Sequence, residues 1–453
     1  MCSLVQKYNV PGPRYTSYPT VPFWDISTFS GKKWEETVKK SFHLSNSSTG
    51  ISLYIHLPFC ESMCTFCGCH KRITKRHDLE LPYIKSVLKE WGLYRNLFDE
   101  KPIIKELHLG GGTPTFFTPE NLKFLIEGIL RIATKAEDAE FSFEGHPNNT
   151  TKEHLQALYD VGFRRVSFGV QDYNETVQKA INRIQPFENV KNVTEWSREI
   201  GYGSISHDII FGLPHQKLEH VINTIEKTKE LKPDRIAFYS YAHVPWLAGN
   251  GQRGYNDADL PAGEEKRTQY EVGKELLLQY GYHEIGMDHF ALESDSLFKA
   301  MENGTLHRNF MGYTSSNTHL MVGLGASSIS DSWYGFAQNV KNVEEYQNLV
   351  ANDIIPLYRG HILTEEDQII RRHILNLMCQ FQTSWSVFKL HLPQLDSILD
   401  RLKELERDGI VVITEGNLRI TEKGRPFVRN VCMAFDLPLQ DKSPNTKLFS
   451  MTV

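Results

Sequence analysis

Four cysteines stand close together in this 453-residue chain, at Cys60, Cys64, Cys67 and Cys69. The spacing C-x3-C-x2-C puts three thiolates on one short loop, where they can ligate three corners of a cubane iron–sulfur cluster and leave the fourth iron open. Structural zinc is an alternative, although zinc usually takes four ligands from two separated Cys-x2-Cys pairs. Buried structural cysteines are a second alternative. We favour the cluster and predict Cys60, Cys64 and Cys67 as its ligands, because a fourth thiolate from Cys69 would close the open iron.

The other three cysteines, Cys2, Cys379 and Cys432, are isolated in the sequence. A tight cysteine group without an apolar export signal indicates metal or redox chemistry rather than disulfides. Cys379 and Cys432 have apolar neighbours and are predicted to be small core residues. The chain also lacks an apolar run of the roughly 20 residues that a bilayer span requires. We therefore expect a cytoplasmic protein with no membrane span.

A run of three glycines, Gly110, Gly111 and Gly112, precedes Thr113 and follows the second predicted strand. Glycines let the backbone approach a ligand that a Cβ atom would exclude. A tight turn between strand and helix is the plainer alternative. The position of the run, one strand after the cysteine loop, favours the ligand-binding interpretation.

The composition is that of an ordinary folded protein, with 40% hydrophobic and 23% charged residues. A formal net charge of −5 argues against a broad surface for nucleic acids or anionic membranes. The length predicts at least two domains. We expect a small-molecule enzyme with no nucleic-acid partner.

Short apolar runs alternate with helical patterns from residue 51 onwards. The predicted strands are residues 53–56, 106–109, 141–144, 165–169, 206–211 and 235–239, with helices at 120–132, 152–159 and 218–231 between some of them. Six such repeats predict an α/β fold with a parallel sheet, as an open doubly wound sheet or a partial barrel. Chemically unusual residues, namely Cys60, the glycine run, Glu144, Gln171 and Asp208, stand at the carboxyl ends of these strands. Parallel sheets build their active sites there.

We predict three parts: an N-terminal arm (1–50), a barrel domain with an extension (51–362) and a C-terminal domain (363–453). The arm is rich in Pro, Gly, Tyr and Ser and is expected to lack regular structure. The C-terminal domain is predicted to be mainly helical and similar to a winged helix, with helices at 366–379 and 395–407 before a hairpin that turns at Gly416. Residues 363–430 hold ten Lys or Arg and ten Asp or Glu, which disfavours DNA binding. A structural or lid role is favoured.

The cysteine motif, with the aromatic Phe66 before its third cysteine, resembles the signature of the radical S-adenosylmethionine superfamily. The resemblance implies a partial (β/α)6 barrel of the TIM type and a [4Fe-4S] cluster whose open iron binds the amino and carboxylate groups of S-adenosylmethionine. An electron from the cluster then cleaves this cofactor to methionine and a 5′-deoxyadenosyl radical. The glycine run resembles the segment that contacts the amino end of the cofactor.

Nearly the whole chain resembles the oxygen-independent coproporphyrinogen III oxidases, or coproporphyrinogen dehydrogenases. The motifs that carry this resemblance are Gly12-Pro-Arg-Tyr-Thr-Ser-Tyr-Pro-Thr20, Cys67-Gly-Cys69, Gly110-Gly-Gly-Thr-Pro-Thr115, Gly169-Val-Gln-Asp172, Asp234-Arg235, Tyr241-Ala-His243, Gly286-Met-Asp-His-Phe290, His307-Arg-Asn-Phe310, Gly312-Tyr-Thr314 and Arg429-Asn430. Heme-trafficking proteins of the superfamily share the barrel but typically lack the arm motif and the fourth cysteine. A heme-binding protein, or another class C radical enzyme, without this turnover remains the alternative.

The resemblance implies oxidative decarboxylation of two propionates of coproporphyrinogen III to vinyl groups, giving protoporphyrinogen IX in anaerobic heme biosynthesis. A propionate C–H bond is unactivated, so a radical from the cofactor must break it while the protein binds, orients and excludes water and oxygen. The implied partners are the small-molecule substrate and an electron donor such as flavodoxin or ferredoxin. A monomer is expected.

The family holds two S-adenosylmethionine molecules, and the resemblance assigns contacts to each. Those with the molecule on the cluster are Tyr54, Gly111, Glu144 and Ile329; those with the second are Phe66, Gly112, Thr113, Gln171, Arg183, Asp208 and Ala242. Asp208 can accept hydrogen bonds from ribose hydroxyls, and Arg183 can clasp a carboxylate; a surface ion pair is the alternative for both. Catalytic roles are expected for Cys69, Glu144 and Tyr54. The loop after Glu144 departs from the family, with Gly-His-Pro-Asn in place of the commoner Val-Asp-Pro.

Coproporphyrinogen carries four propionates, so an anion-binding lining is required. Arg14 and Arg308 are the candidate cations, with Tyr15, His307 and Asn309 as hydrogen-bond donors. The arm is expected to fold over the barrel mouth and shield the radical. His56 is predicted to be either a proton donor or, as lone histidines near strand ends usually are, a structural residue.

Overall fold

The computed structural model describes residues 4–246, 251–252, 254–386, 394–441 and 448–452. All six predicted strands are present and are somewhat longer than predicted. They are β1 (Ile51–Leu57), β2 (Ile103–Gly111), β3 (Thr134–Gly145), β4 (Arg165–Gln171), β5 (Ser204–Phe211) and β6 (Arg235–Ser240). Each pairs in parallel with the next one along the chain. This sequential order is that of a barrel rather than of a doubly wound sheet, so the partial barrel is confirmed.

Helices connect consecutive strands, as a parallel order requires. The connections are Glu80–Arg95, Pro119–Arg131, Lys152–Asp160, the pair Glu175–Ala180 and Phe187–Ile200, and Leu218–Leu231, followed after β6 by Gly263–Gln279. The three predicted helices agree with the structure to within one residue at each end. Short strands at Phe59–Cys60 and Arg72–Ile73 flank the cysteine loop.

The side chains of the six strands divide by face, because successive residues of a strand point to opposite sides. Apolar residues such as Leu107, Phe141 and Phe238 face the helices and are buried in the cores. Polar residues two positions apart, such as Ser142 with Glu144 and Ser206 with Asp208, line a single interior cavity together with residues of β2, β4 and β6. We call this space the barrel cavity. Side chains from five consecutive strands can share it only if the sheet is strongly curved.

The sheet extends beyond the six strands to twelve. Met321–Leu324 adds a parallel strand beside β1, and Ile329–Asp331, Gly335–Asn339 and Leu357–Ile362 follow it in antiparallel order. On the other side, His289–Ala291 and His283–Gly286 pair antiparallel beyond β6. These additional strands were not predicted. A separate hairpin joins His307–Asn309 to Gly312–Thr314, and two short helices, Ser296–Glu302 and Val343–Ala351, accompany these strands.

The arm contains more regular structure than the sequence analysis predicted. Leu4–Tyr8 is helical, Val21–Phe23 forms a 3-10 turn and Gly31–Ser45 forms a 15-residue helix. The long helix presents Trp34, Val38 and Phe42 on one side, at a spacing of four residues, and all three are buried in the main core. The expectation of an irregular arm was therefore wrong for residues 31–45, because Pro and Gly are concentrated before residue 31.

The C-terminal elements resemble a winged helix, as predicted. Glu365–Gln380 and Leu395–Arg407 are helices, and Val411–Thr414 forms a hairpin with Asn417–Ile420 around Gly416, whose φ is +79°. Gln382–Ser384 adds a third strand that was not predicted, and the helices Val428–Phe435 and Leu437–Asp441 follow. Cys379 and Cys432 are buried as predicted, whereas Cys2 lies outside the described residues. The division at residues 50 and 362 stays a prediction.

The C-terminal helices do not form a core of their own. Tyr8, Tyr15 and Tyr18 of the arm pack into the same apolar cluster as Ile374 and Phe435, and residues of the hairpin region join them. Within the described part of the chain, no helix combines the length and the apolar character that crossing a membrane would take.

Candidate active site

The cysteine loop leaves the carboxyl end of β1 and is closed at its base by a short ladder. Phe59–Cys60 pairs in parallel with Arg72–Ile73, and the Thr74 amide donates to the Cys60 carbonyl at 2.9 Å. Cys60, Cys64 and Cys67 all line one cavity, which we call the cysteine cavity. The sequence prediction that these three thiols share a site agrees with this arrangement.

Positive charge and hydroxyl groups surround the three sulfurs. The Thr113 hydroxyl lies 3.3 Å from Cys60 Sγ, and Arg183 Nη1 donates to Cys64 Sγ at 3.8 Å. Lys71 Nζ donates to the Cys67 carbonyl at 3.0 Å. Hydrogen bonds and cations of this kind stabilise thiolates and the sulfurs of a cluster.

Cys69 stands apart from the other three cysteines. It is exposed and does not line the cysteine cavity. Its thiol hydrogen-bonds to Cys67, and this contact, with lesser help from Lys71 and Arg183, lowers the pKa of the Cys67 thiol to about 6. The same contact raises the pKa of Cys69. Cys69 is therefore placed to influence Cys67 from outside the cavity that the other three thiols line.

The donor set fits an iron–sulfur cluster better than a single ion. Among the residues described, no three His, Cys, Asp or Glu side chains are grouped so that they could hold one metal ion. Cubane ligands bind different irons and so need only surround a common space, as these three thiols do. Arg183 Nε, buried at the wall of this cavity, has no hydrogen-bond partner within the described parts of the chain. An anionic group in the cavity would fit that donor.

The glycine run passes close to β1 and to Glu144, and two of its members leave no room for a side chain. A Cβ on Gly112 would lie 2.6 Å from the Pro58 carbonyl carbon, and one on Gly111, whose φ is +110°, would lie 2.6 Å from the His56 ring. The Gly111 amide donates to Glu144 Oε2 at 3.3 Å. The run therefore brings main chain to the edge of the cysteine cavity.

Tyr54, His108 and Glu144 form a connected group on the inner face of the barrel. The Tyr54 and His108 rings stack with centroids 6.1 Å apart, and His108 Nε2 lies 3.5 Å from Glu144 Oε1. Burial raises the pKa of Glu144, but His108 and the Gly111 amide outweigh it and the net pKa is lowered. Glu144 is thus an anion at neutral pH. His108 was missed by the sequence analysis, although its inward position follows from the alternation along β2.

His56 is a satisfied buried residue. Its Nδ1 lies 3.0 Å from the Tyr54 hydroxyl and its Nε2 lies 3.0 Å from the His70 carbonyl. Burial lowers the pKa of His56 to about 4, so the ring is neutral at pH 7. These contacts favour the structural interpretation of His56.

Gln171 is the last residue of β4, Asp208 lies within β5, and Arg183 lies in the loop between the helices Glu175–Ala180 and Phe187–Ile200. Arg183 Nη2 donates to the Gly169 carbonyl at 2.6 Å, and Gln171 adopts a left-handed φ of +66° next to it. Asp208 faces the barrel cavity and accepts from the Ser167 hydroxyl at 2.9 Å. Burial raises the pKa of Asp208 to about 7. Arg183 therefore connects the cysteine cavity to the end of β4.

The other predicted cofactor contacts lie around these groups. Phe66, Gly112 and Thr113 line the cysteine cavity with Arg183. Ile329 packs against Gly323, which pairs with Tyr54 across the sheet. Ala242 instead lines a neighbouring cavity beyond the end of β6.

The predicted substrate residues are brought together only in part. Arg14 forms an ion pair with Asp288, and Arg308 Nη2 donates to the Arg14 carbonyl at 3.3 Å. Tyr15 points into the core of the C-terminal helices, where its hydroxyl donates to Asp436 at 3.0 Å.

His307 and Asn309, which flank Arg308 in its hairpin strand, are also buried. Burial lowers the pKa of His307 to about 3. The Asn309 side chain accepts from the Met311 amide at 2.8 Å. Like Arg308, neither residue lines the cysteine cavity, the barrel cavity or the cavities beyond the end of β6.

Comparison with known proteins gives consistent results along the chain. Residues 54–228 match the family model described as the radical SAM superfamily, and residues 363–427 match the HemN C-terminal domain. A Synechocystis protein named oxygen-independent coproporphyrinogen III oxidase is 38% identical over 468 residues, covering 99% of this chain and 97% of that protein. The Escherichia coli K12 protein of the same name is 36% identical, with 97% and 96% covered.

A solved structure described as coproporphyrinogen III oxidase (HemN) from Escherichia coli, a radical SAM enzyme, superposes with a TM-score of 0.88. It is 35% identical in sequence and the match covers 94% of this chain and 97% of that one.

Proposed function

Because this chain belongs to the oxygen-independent coproporphyrinogen III oxidases of the radical S-adenosylmethionine superfamily, we propose that it converts two propionates of coproporphyrinogen III to vinyl groups. The product is protoporphyrinogen IX, made in the anaerobic branch of heme biosynthesis. The observation that carries this proposal is the cavity that Cys60, Cys64 and Cys67 line together, beside the glycine run.

The cysteine cavity is the place for the [4Fe-4S] cluster that the superfamily implies. Cys60, Cys64 and Cys67 would hold three irons, and Arg183 and Lys71 would offset the negative charge of the thiolates. With S-adenosylmethionine bound, the cluster supplies the radical that removes a hydrogen atom from an unactivated carbon. The protein itself has to bind, orient and shield the reactants.

Two S-adenosylmethionine molecules are part of the proposal. Tyr54, Gly111, Glu144 and Ile329 would hold the one on the cluster, and the lowered pKa of Glu144 supports a carboxylate that receives a cationic amino group. The second would contact Phe66, Gly112, Thr113, Gln171, Arg183, Asp208 and Ala242. The unpartnered Nε of Arg183 supports a carboxylate ligand at that position.

Cys69, Glu144 and Tyr54 are the residues to which we assign catalytic roles. Glu144 and Tyr54 lie on the inner face of the barrel, next to the glycine run. Cys69 is supported by its contact with Cys67. For the substrate, Arg14 and Arg308 would bind propionates, with Tyr15, His307 and Asn309 as hydrogen-bond donors. Of these five, Arg14 has the strongest support, because it lines the cavities beyond the end of β6, whereas the other four are buried and line neither of them.

The proposal also includes an electron donor, an oligomeric state and a role for the C-terminal domain. An external one-electron donor such as flavodoxin or ferredoxin would reduce the cluster, because no second redox centre is implied by the sequence. The protein would act as a monomer in the cytoplasm. The C-terminal domain would help to close the barrel, as its shared core with the arm supports.

An anaerobic product assay tests the proposal. The reconstituted protein is reduced, supplied with S-adenosylmethionine and coproporphyrinogen III, and its porphyrins are analysed by chromatography and mass spectrometry. We expect a product with two vinyl groups, together with carbon dioxide, methionine and 5′-deoxyadenosine. Tight heme binding without these products would show a carrier instead, and zinc without iron would show a structural metal protein. The Cys64→Ser variant serves as the inactive control.

A further inference from the structure

A second group of cations lies at the same edge of the sheet as the cysteine loop. Arg14 of the arm, Lys266 of helix Gly263–Gln279 and Arg429 of helix Val428–Phe435 line a space made of two adjoining cavities, together with Ser240, the last residue of β6. We call it the cationic cavity. Lys266 stands in a Glu-Glu-Lys-Arg sequence of the kind found on exposed helices, so its position in a cavity could not be predicted from the sequence.

The cationic cavity holds more positive than negative charge. Of the described residues that line it, Asp288 is the one acid, and Asp288 already pairs with Arg14. Among the residues that the structure describes, neither Lys266 nor Arg429 has a carboxylate partner. Lys266 Nζ donates to the Tyr241 carbonyl at 3.0 Å, and Arg429 donates to the carbonyls of the arm and the C-terminal tail. Carbonyl groups satisfy hydrogen bonds but do not neutralise a charge.

A further cation, Arg308, lies next to the cationic cavity and adds to its positive charge. Arg308 is buried beneath Arg14, and its Nε and Nη1 have no hydrogen-bond partner in the described part of the chain. Burial, followed by repulsion from Arg429 and Arg14, lowers the pKa of Lys266 to about 8. Buried cations without counter-charge are costly unless an anion joins them. This lining is therefore suited to an anionic ligand.

The cationic cavity adjoins the barrel cavity. The Arg14 guanidinium lies over the Tyr239 ring, 5.9 Å from its centroid, and Tyr239 lines the barrel cavity together with Asp208. His289 of the barrel cavity touches Asp288 of the cationic cavity at 3.0 Å. A molecule seated in the barrel can thus extend an acidic arm to Lys266.

We propose that the cationic cavity binds a carboxylate of the substrate that is not being decarboxylated, with Lys266 as its direct hydrogen-bond donor. The inference rests on the proposed function and identifies how the other propionates are held. A strong ion pair to the reacting carboxylate would stabilise the charge that is lost when carbon dioxide leaves, and so would oppose the reaction. The same ion pair on a retained propionate anchors the macrocycle without that cost. Arg429 acts indirectly, by holding the arm carbonyls that position Arg14.

The binding test uses coproporphyrin III, the oxidised and unreactive tetracarboxylate, and its tetramethyl ester in the same non-ionic detergent. Fluorescence titration of the reconstituted protein should show roughly 10- to 100-fold weaker tetracarboxylate binding in Lys266→Gln, because one charge-assisted hydrogen bond is lost. Lys266→Arg, which keeps the positive charge, should retain most of the native affinity for the tetracarboxylate. Ester binding should be equal in all variants. Lys191→Gln, on the outer helix Phe187–Ile200, removes the same charge elsewhere and should bind like the native protein.

Three results would overturn the proposal: unchanged tetracarboxylate affinity in Lys266→Gln, an equal loss for the ester, or a loss of S-adenosylmethionine affinity in place of the porphyrin effect. Iron content and the unfolding midpoint of each variant show that it is folded. The outcome is separable from the proposed function. If the native protein binds coproporphyrin through Lys266 but makes no vinyl product, the carboxylate site is supported and the proposed function is contradicted. If Lys266→Gln shows full turnover with an unchanged KM, the proposed function is supported and the carboxylate site is contradicted.

Discussion

Cys69 differs from the three neighbouring cysteines in what surrounds its sulfur. Those three line a common cavity, whereas Cys69 is exposed, does not line that cavity and hydrogen-bonds to Cys67. We predict that Cys69→Ser keeps the iron and sulfide content of the native protein but lowers turnover, because the hydrogen bond to a ligand cysteine is altered. Cys67→Ser should instead lose the cluster. Iron and sulfide analysis after anaerobic reconstitution checks both, and loss of all iron in Cys69→Ser would overturn the assignment.

The buried Asp208 carboxyl group is expected to lower the free energy of unfolding at neutral pH. Burial raises its pKa in the folded protein from the ordinary 3.8 to about 7, so between these pH values the unfolded chain releases a proton that the folded chain retains. Stability therefore falls as pH rises across this window. In cofactor-free protein, we compare the change in unfolding free energy caused by Asp208→Asn at two pH values. This change should be more stabilising at pH 7.5 than at pH 4.5, by roughly 3 kcal/mol. Denaturant titrations at both pH values measure this, and an equal effect at the two would contradict it.

At the scale of single residues, the sequence predicted mainly the side chains around the cysteine loop and at the strand ends. The three cysteines, the glycine run, Glu144 and Asp208 were identified from residue type and from position at strand ends. Lys266 could not be found, because a lysine on an amphipathic helix looks exposed until the arm and the C-terminal helices are packed against it. Tyr15 was offered as a substrate donor by motif alone, and its contact with Asp436 needs the fold to be seen.

The strands and turns of the barrel determine how tightly the cluster region is built. Gly112 is the clearest case, since a Cβ there would lie 2.6 Å from the Pro58 carbonyl carbon and 2.7 Å from the Phe59 carbonyl oxygen, in the strand that leads to Cys60. Because backbone cannot yield as a flexible side chain does, we predict that Gly112→Ala displaces the cysteine loop and sharply lowers cluster content. The measurement is iron per chain after anaerobic reconstitution.

Gly92→Ala is the matched control for that substitution. Gly92 lies inside helix Glu80–Arg95, and a Cβ there would meet nothing within 4 Å. This change should leave the cluster intact and stabilise the helix by about 1 kcal/mol. If Gly112→Ala retained as much iron as Gly92→Ala, the close packing of the glycine run would have no bearing on the cluster.

Elements with a strong local pattern were predicted well. The six barrel strands are apolar on their helix-facing side and are separated by helices, so their number, order and approximate bounds follow from the sequence. The antiparallel strands around residues 283–362 are only three to six residues long. Their pairing depends on partners distant in the chain, and a short run carries too little periodicity to reveal it. The helix at Gly31–Ser45 was missed because the arm was judged by the Pro and Gly residues that precede it.

The arm, the extension and the C-terminal helices form one core around the mouth of the barrel. Arg429 donates to the carbonyls of Gly12, Pro13 and Met451, and the Thr452 amide donates to the Val10 carbonyl at 2.8 Å. The arm and the tail are thus held together over the cationic cavity. This arrangement agrees with an arm that covers the reaction space, and it explains why charged residues from distant segments meet there.

Deleting residues 1–20 tests the arm at the scale of the whole molecule. We predict that the deletion abolishes turnover and leaves iron content unchanged, because no described residue of the arm lines the cysteine cavity. It should also lower the unfolding midpoint, since Tyr8, Tyr15 and Tyr18 leave the shared core. Removing residues 1–3 alone takes away none of the contacts described and is the control. Full turnover in the longer deletion would refute the covering role.

Radical chemistry in this protein requires one cluster iron that no cysteine ligates. The direct measurement is electron paramagnetic resonance with hyperfine detection on anaerobically reconstituted, reduced protein that holds S-adenosylmethionine labelled with ¹⁷O in its carboxylate. We predict a reduced [4Fe-4S] signal with coupling to ¹⁷O, unchanged in kind in Cys69→Ser. A protein without a four-iron signal, or a cluster that shows no coupling to the labelled carboxylate, would contradict the account.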